Sequence, residues 1–257
     1  MRATTERVTY AERAGHWASQ FASRINTADF ERLTTGLLGT IDEVSSSRWD
    51  AAVKRAAVQP GQIRPEKIKA LTDSFAREVT AAGAAAGAIA ASPAFGTSAT
   101  LLTAAAELAW FTGRAGDLIL TIAALHGHPN PTVEERRAWV LAVLIYGGSA
   151  RDELSRAINE ASTGIAPPSA DRRLPIATLQ MANRAMGKVV FRRYGAKRSA
   201  AAVGRMIPLG IGAAIGGTAN YTAIRSLARH ADEFFTRLPY SAIDADSIDV
   251  TGRVLAT

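Results

Sequence analysis

Residues 79–106 form a run of twenty-eight positions without a single charge. A stretch this long and this poor in charge has to bury itself, either inside a protein or inside a bilayer, because its apolar surface is costly in water. Its composition separates the two. A spanning helix needs about 20 predominantly apolar residues, with Leu, Ile, Val and Phe supplying the insertion energy. This run consists mainly of Ala, Gly, Thr and Ser, and Ser92-Pro93 and Gly96 break it in the middle. Two close-packed buried helices are the expectation, not one span. A second charge-free run, residues 206–224, reaches the lower end of spanning length but contains Pro208, four glycines and Asn220. Gly212 and Gly216 are one turn apart, a spacing that lets two helix backbones approach closely. That run is expected to be a buried central hairpin helix, able at most to insert.

Elsewhere the apolar residues recur at helical spacing, and no segment shows the β-branched and aromatic alternation of a strand. Residues 6–25 and 29–44 read as paired amphipathic helices with Trp17, Phe21, Phe30, Leu33, Leu37 and Leu38 on a shared face. Residues 48–58 form a shorter helix stopped by Pro60-Gly61, and Pro65 suits the first turn of the next. Residues 101–124 continue as an apolar helix carrying Glu107, Arg114 and Asp117. Glu107 and Arg114 share a face, and Asp117 is within pairing reach of Arg114. The segment 126–131 breaks the chain. Thr132 with Glu135 then makes a capping box, Gly147-Gly148 stops that helix, and residues 150–161 form another. Residues 164–172 have loop composition. The expected fold is all-α: a multi-helix bundle around a Gly/Ala-rich apolar helical hairpin. Residues 1–62 are expected to form an N-terminal helical arm, 63–238 the main domain and 239–257 a C-terminal tail.

The charge is distributed unevenly. The chain of 257 residues has a formal charge of +7, yet between Asp171 and Asp232 it has no acid and eleven Lys or Arg. Everything outside that segment therefore sums to −4. A local positive field beside an apolar helix suits an anionic surface such as phospholipid. There are no cysteines, which excludes disulfides and thiolate metal sites. Residues 1–13 have no apolar core of the secretory kind, so a cytoplasmic start is expected.

Within the basic segment, residues 173–194 read as one amphipathic helix ended by Gly195. Arg184, Lys188 and Arg192 repeat every four residues as a positive stripe, and Leu179, Ala182, Met186 and Val190 lie opposite. Arg193, Lys197, Arg198 and Arg205 extend the stripe toward the glycine-rich run. These seven cations are the candidate anion-binding residues.

Two blocks carry a family likeness. The first is Ala105-Ala106-Glu107-Leu108, the apolar run ending at His126-Gly127, and Pro131 followed by Glu134-Glu135-Arg136. The second is Gly204-Arg205, Pro208 and Gly210, then Gly216-Gly217, Asn220-Tyr221, Ala231 and Phe234-Phe235. Over roughly residues 75–236 the chain resembles the EcsC family. That resemblance implies an all-helical bacterial protein, commonly described as membrane-associated and without an established catalytic activity. It gives Glu107, Gly127, Pro208, Gly210, Gly216 and Asn220 structural motif places. His126 stands where the family commonly has an aromatic residue.

No residue set identifies a reaction. His126 and His128 with Glu135 nearby are the sparse makings of a metal-assisted hydrolase, but the two-His, one-Glu helical spacing of zinc hydrolases is missing. Neither a phosphate-binding loop nor a nucleophile elbow is present. Neither a cofactor nor a metal is expected. His126 and His128 are expected at the surface or in capping roles, and His16 and His230 in structural or exposed ones. Glu107, Arg114 and Asp117 are expected to form a structural ion-pair cluster, with Asn220 bonded to backbone or to Glu107. The function expected is non-catalytic association with anionic membrane lipid or a membrane protein, peripheral and from the cytoplasmic side. A nucleic-acid binder using the same basic face is the rival.

Overall fold

A computed structural model describes residues 27–90, 97–128, 130–162, 175–195 and 216–238. Among these residues there is no strand. The α-helices are α1 (Thr27–Ser47), α2 (Trp49–Ala57), α3 (Arg64–Ala90), α4 (Thr97–Leu125), α5 (Val133–Tyr146), α6 (Ala150–Ala161), α7 (Ile176–Gly195) and α8 (Gly216–Thr236). A single 3-10 turn, Gly147–Ser149, joins α5 to α6.

Local chemistry accounts for the boundaries. α2 places Asp50 in its first turn and Lys54 and Arg55 in its last, which complements the helix dipole. It stops before Pro60-Gly61, where Gly61 takes φ +124° and a Cβ would sit 2.7 Å from the Glu66 Cβ. Pro65 lies in the first turn of α3, where its missing N–H costs nothing. The predicted capping box is formed in full at the start of α5, with Thr132 accepting from the Glu135 N–H and Glu135 accepting from the Thr132 N–H. Gly147 ends α5 at φ +55°.

α4 is the centre. Phe111, Ala115, Leu118, Ile119, Leu120, Ile122 and Ala123 are all buried, and α1, α2, α3, α5 and α8 pack around this helix. α3 contributes Ile68, Leu71, Phe75, Ala76 and Val79, an i, i+3, i+7, i+8, i+11 stripe that faces α8 and α4. α8 answers with Ala223, Ile224, Leu227, Ala228, Ala231, Phe234 and Phe235. α5, α6 and α7 pack on one another, and α1 touches both α5 and α7.

The charge-free run is divided between the end of α3 and the start of α4, so two helices replace the single span its length would allow. In the second run, 206–215 lies outside the described residues, and 216–224 is the first part of α8, which continues to Thr236. The proposed arm is not separate where it is described: Ile41, Val44, Trp49 and Ala52 of α1 and α2 belong to the same core as α4. Their apolar stripes face α4. Residues 6–25, 164–172 and 239–257, and with them His16, lie outside the described residues.

The close approach of α1 to α4 depends on Gly116, where a Cβ would fall 2.7 Å from the buried Val44 Cγ1. Val44 is β-branched and stiff at χ1. Gly116→Ala is therefore expected to destabilise the fold by about 1 kcal/mol, overpacking outweighing the gain in helix propensity. Urea denaturation of the single variants and of Gly116→Ala/Val44→Ala should show the double variant recovering part of the loss.

Candidate functional site

α7 presents the described part of the basic stripe. Leu179, Ala182 and Met186 are buried as the spacing predicts, and Arg184 and Lys188 are exposed one turn apart. Asn183, also buried, fixes the helix to α5 by donating from Nδ2 to the Glu134 carbonyl at 2.9 Å and its carboxylate at 2.7 Å. Neither Arg184 nor Lys188 forms a salt bridge among the described residues. Met181, 40% exposed, precedes Arg184 by three residues and puts an apolar side chain at the end of the stripe. Periodicity alone did not single it out. Arg192 and Arg193 continue the α7 backbone, but their side chains, with Lys197, Arg198, Arg205, Pro208 and Gly210, lie outside the described residues. So do the Val190, Gly216 and Asn220 side positions.

The acid-free segment is not uniformly uncompensated. Arg225, on α8, donates to Asp73 of α3 at 2.8 Å and lies 4.9 Å over the Tyr221 ring. Asp73 also takes Lys69 at 2.9 Å, and these two cations hold its carboxyl below the usual range. α8 packs on α3 and α4, whereas α7 packs on α5, α6 and α1. Of the segment's described cations, Arg225 is thus compensated by Asp73, whereas Arg184 and Lys188 of α7 form no salt bridge among the described residues.

The ion-pair cluster expected on α4 is present. Asp117, 3% exposed, accepts from Arg114 at 2.8 Å and from Arg48 at 3.3 Å. Arg114 also binds Glu78 of α3, and its guanidinium covers the Phe75 ring at 4.5 Å. The Glu107 side chain lies outside the described residues. This cluster joins α3 and α4 to Arg48, the residue before α2. Removing one partner of a buried pair typically costs about 3–5 kcal/mol. Asp117→Ala should accordingly unfold at markedly lower urea than Glu43→Ala, whose carboxylate meets Arg48 at the exposed rim at 2.8 Å.

The histidines sit differently from the expectation. His126 and His128, which flank the αL-like Gly127 (φ +77°), turn inward into an aromatic cluster. His128 lies 5.2 Å from Trp139 and 5.4 Å from Phe235, and Trp139 meets Phe235 edge-on at 5.2 Å. His126, in the place of the family's aromatic, is 6.0 Å from Phe235 and 2.8 Å from the Asp232 carboxylate. His230 lies beside Gly148, where an added Cβ would fall 3.6 Å from its Nε2. The inward turn follows from the apolar ends of α5 and α8, which offer these rings more contact than water does. Glu135 is occupied by its capping box, and burial raises its carboxyl above the usual value. Among the described residues no group of three His, Asp or Glu could hold a metal ion.

Burial lowers His126, His128 and His230 below the ordinary imidazole value, with the Asp232 hydrogen bond opposing it at His126. The unfolded chain then binds more protons than the folded one once pH falls toward 6.5, the unperturbed value, so stability rises with pH across this window. Glu135, raised, pulls the other way at lower pH. Chemical denaturation at stepped pH from neutrality downward should show stability falling as the imidazoles titrate, and His128→Phe should flatten the slope. An unchanged slope in that variant would contradict this arrangement.

The sequence model of the EcsC protein family matches residues 20–238. Neither the curated proteins nor the solved structures contain a match to the chain.

Proposed function

We propose that this chain, which belongs to the EcsC protein family, is a non-catalytic protein that adsorbs to anionic membrane surfaces, or to a membrane partner, through the basic face of α7. The observation that carries the reading is a helix whose apolar side is fixed in the core while Arg184 and Lys188 face water without acidic partners among the described residues. Arg192 continues the same face by helical spacing, and Arg193, Lys197, Arg198 and Arg205 add charge along the chain. Each basic side chain held near an anionic bilayer contributes about 1 kcal/mol, and the effect fades within a Debye length. Exposed Met181 at the end of the stripe supplies an apolar contact of the kind interfacial helices use.

No competing chemistry has comparable support. Asp232 meets His126 in a single hydrogen bond, Glu135 is tied into a helix cap, and Asp117 within the apolar helix is satisfied by two guanidiniums. The same cations would also meet nucleic-acid phosphates, and a gel shift distinguishes that outcome.

Vesicle co-sedimentation tests the proposal. Binding is expected to phosphatidylglycerol-containing vesicles and not to phosphatidylcholine alone, and to fall steeply with added salt. Arg184→Gln/Lys188→Gln should lower the partition coefficient about thirty-fold, from about 1 kcal/mol per charge. Equal binding to neutral vesicles, or tighter binding to duplex DNA in a gel shift, would remove the proposal.

A further inference from the structure

The other notable surface lies at one end of the bundle. α2 runs alongside α4 in the same direction, since Arg48 meets Asp117 at 3.3 Å and Arg55 meets Thr121 at 3.2 Å. The turn after α2 therefore lies at the C-terminal end of α4. The Arg64 charge bears on His126 there, and α8 arrives at the same end, with Asp232 on His126. At this end the corner between α2 and α3 carries the most exposed large apolar side chains described: Val58 at 76% and Ile63 at 57%, with Val53 at 43% beside them.

The corner is built, not slack. Gln59 donates from its side chain to the Arg55 carbonyl at 3.0 Å and from its N–H to the Ala56 carbonyl at 3.3 Å. The Gln62 N–H donates to the Glu66 carboxylate at 2.8 Å, and Gly61 packs on Glu66. Val58 and Ile63 are thereby held outward on a fixed turn. The charge around them is mainly positive: Lys54, Arg64 and Lys67 border the turn against one carboxylate, Glu66, which accepts from the Gln62 N–H, while Arg55 is turned inward to Thr121 and Phe75. An apolar tip ringed by cations is complementary to an anionic bilayer, whose interface takes up the side chains while the headgroups meet the charge. An acidic protein would satisfy the cations but has no comparable need for a protruding two-residue tip.

We propose that the α2–α3 corner is a membrane-contacting tip, with Val58 and Ile63 entering the interfacial layer and Lys54, Arg64 and Lys67 meeting anionic headgroups. It rests on the reading that the protein meets anionic membranes, but not on α7 being the face that does so.

The chain has no native cysteine, so the intact protein can be labelled at one chosen place. Val58→Cys carrying a polarity-sensitive fluorophore reports the corner. Ala81→Cys, exposed on α3 more than four turns beyond Arg64, reports a position far from the corner. With vesicles containing phosphatidylglycerol, the label at 58 should shift to the blue and be quenched by lipid-borne nitroxide, and the label at 81 should not. Val58→Asp/Ile63→Asp, with its fold checked by circular dichroism, should bind at least about tenfold more weakly. A protein that sediments with vesicles while the label at 58 stays in water overturns the tip and leaves the α7 reading standing. A label at 58 that enters lipid while Arg184→Gln/Lys188→Gln binds normally does the reverse. Absence of vesicle binding by the unmodified chain overturns both.

Discussion

A carboxylate at the waist of the central helix fixes the arrangement of its neighbours. Asp117 is 3% exposed and could not remain there unpaired, since an isolated buried charge costs several kcal/mol. Two guanidiniums meet it, one from α4 itself and one from Arg48 just before α2, and Arg114 reaches on to Glu78 of α3. Phe75 lies beneath both Arg114 and Arg55. A one-residue slip of α2 or α3 along α4 would separate these partners. The surrounding apolar contacts are non-directional and tolerate sliding, so the charge network supplies the register and the core supplies most of the stabilisation.

The same centre bears on the proposed contact with a membrane. Leu108–Leu125 within α4 is long and apolar enough to cross a bilayer, and 67% of it is buried inside the protein. Its apolar surface is already covered by α1, α2, α3, α5 and α8, and it carries the Arg114–Asp117 pair. A membrane reading consequently draws on surface features: the uncompensated cations of α7 and the rigid apolar corner between α2 and α3. Both are edges of a helical body whose interior is closed by its own side chains.

Much of the architecture was legible in the residues. The capping box at Thr132 and Glu135, the stops at Pro60-Gly61 and Gly147, and the buried stripe Leu179, Ala182, Met186 follow from local rules that act over a few positions. The Arg114–Asp117 pair was readable because its members are three apart on one helix. Contacts between distant segments were not. Nothing local tells that Arg225 meets Asp73 across 152 positions, which compensates one of the two arginines on α8. Nor does spacing show that His126 and His128 turn inward, because the rings they meet come from α5 and α8. The arm was drawn past the Pro60-Gly61 stop, and spacing did not show that Ile41, Val44 and Trp49 of its described part pack in the core with α4. Val58 and Ile63 read as ordinary apolar positions until the turn geometry points them outward.

The central claim is that this helical body contacts membranes from the surface, with its apolar helices kept inside the protein. Washing membranes from cells that express the chain with alkaline carbonate tests this most directly. The account predicts release of the protein into the supernatant, as expected when headgroup attraction and a shallow tip are the only attachments. Retention in the bilayer pellet after the wash, with α4 or the glycine-rich segment protected from protease, would contradict it.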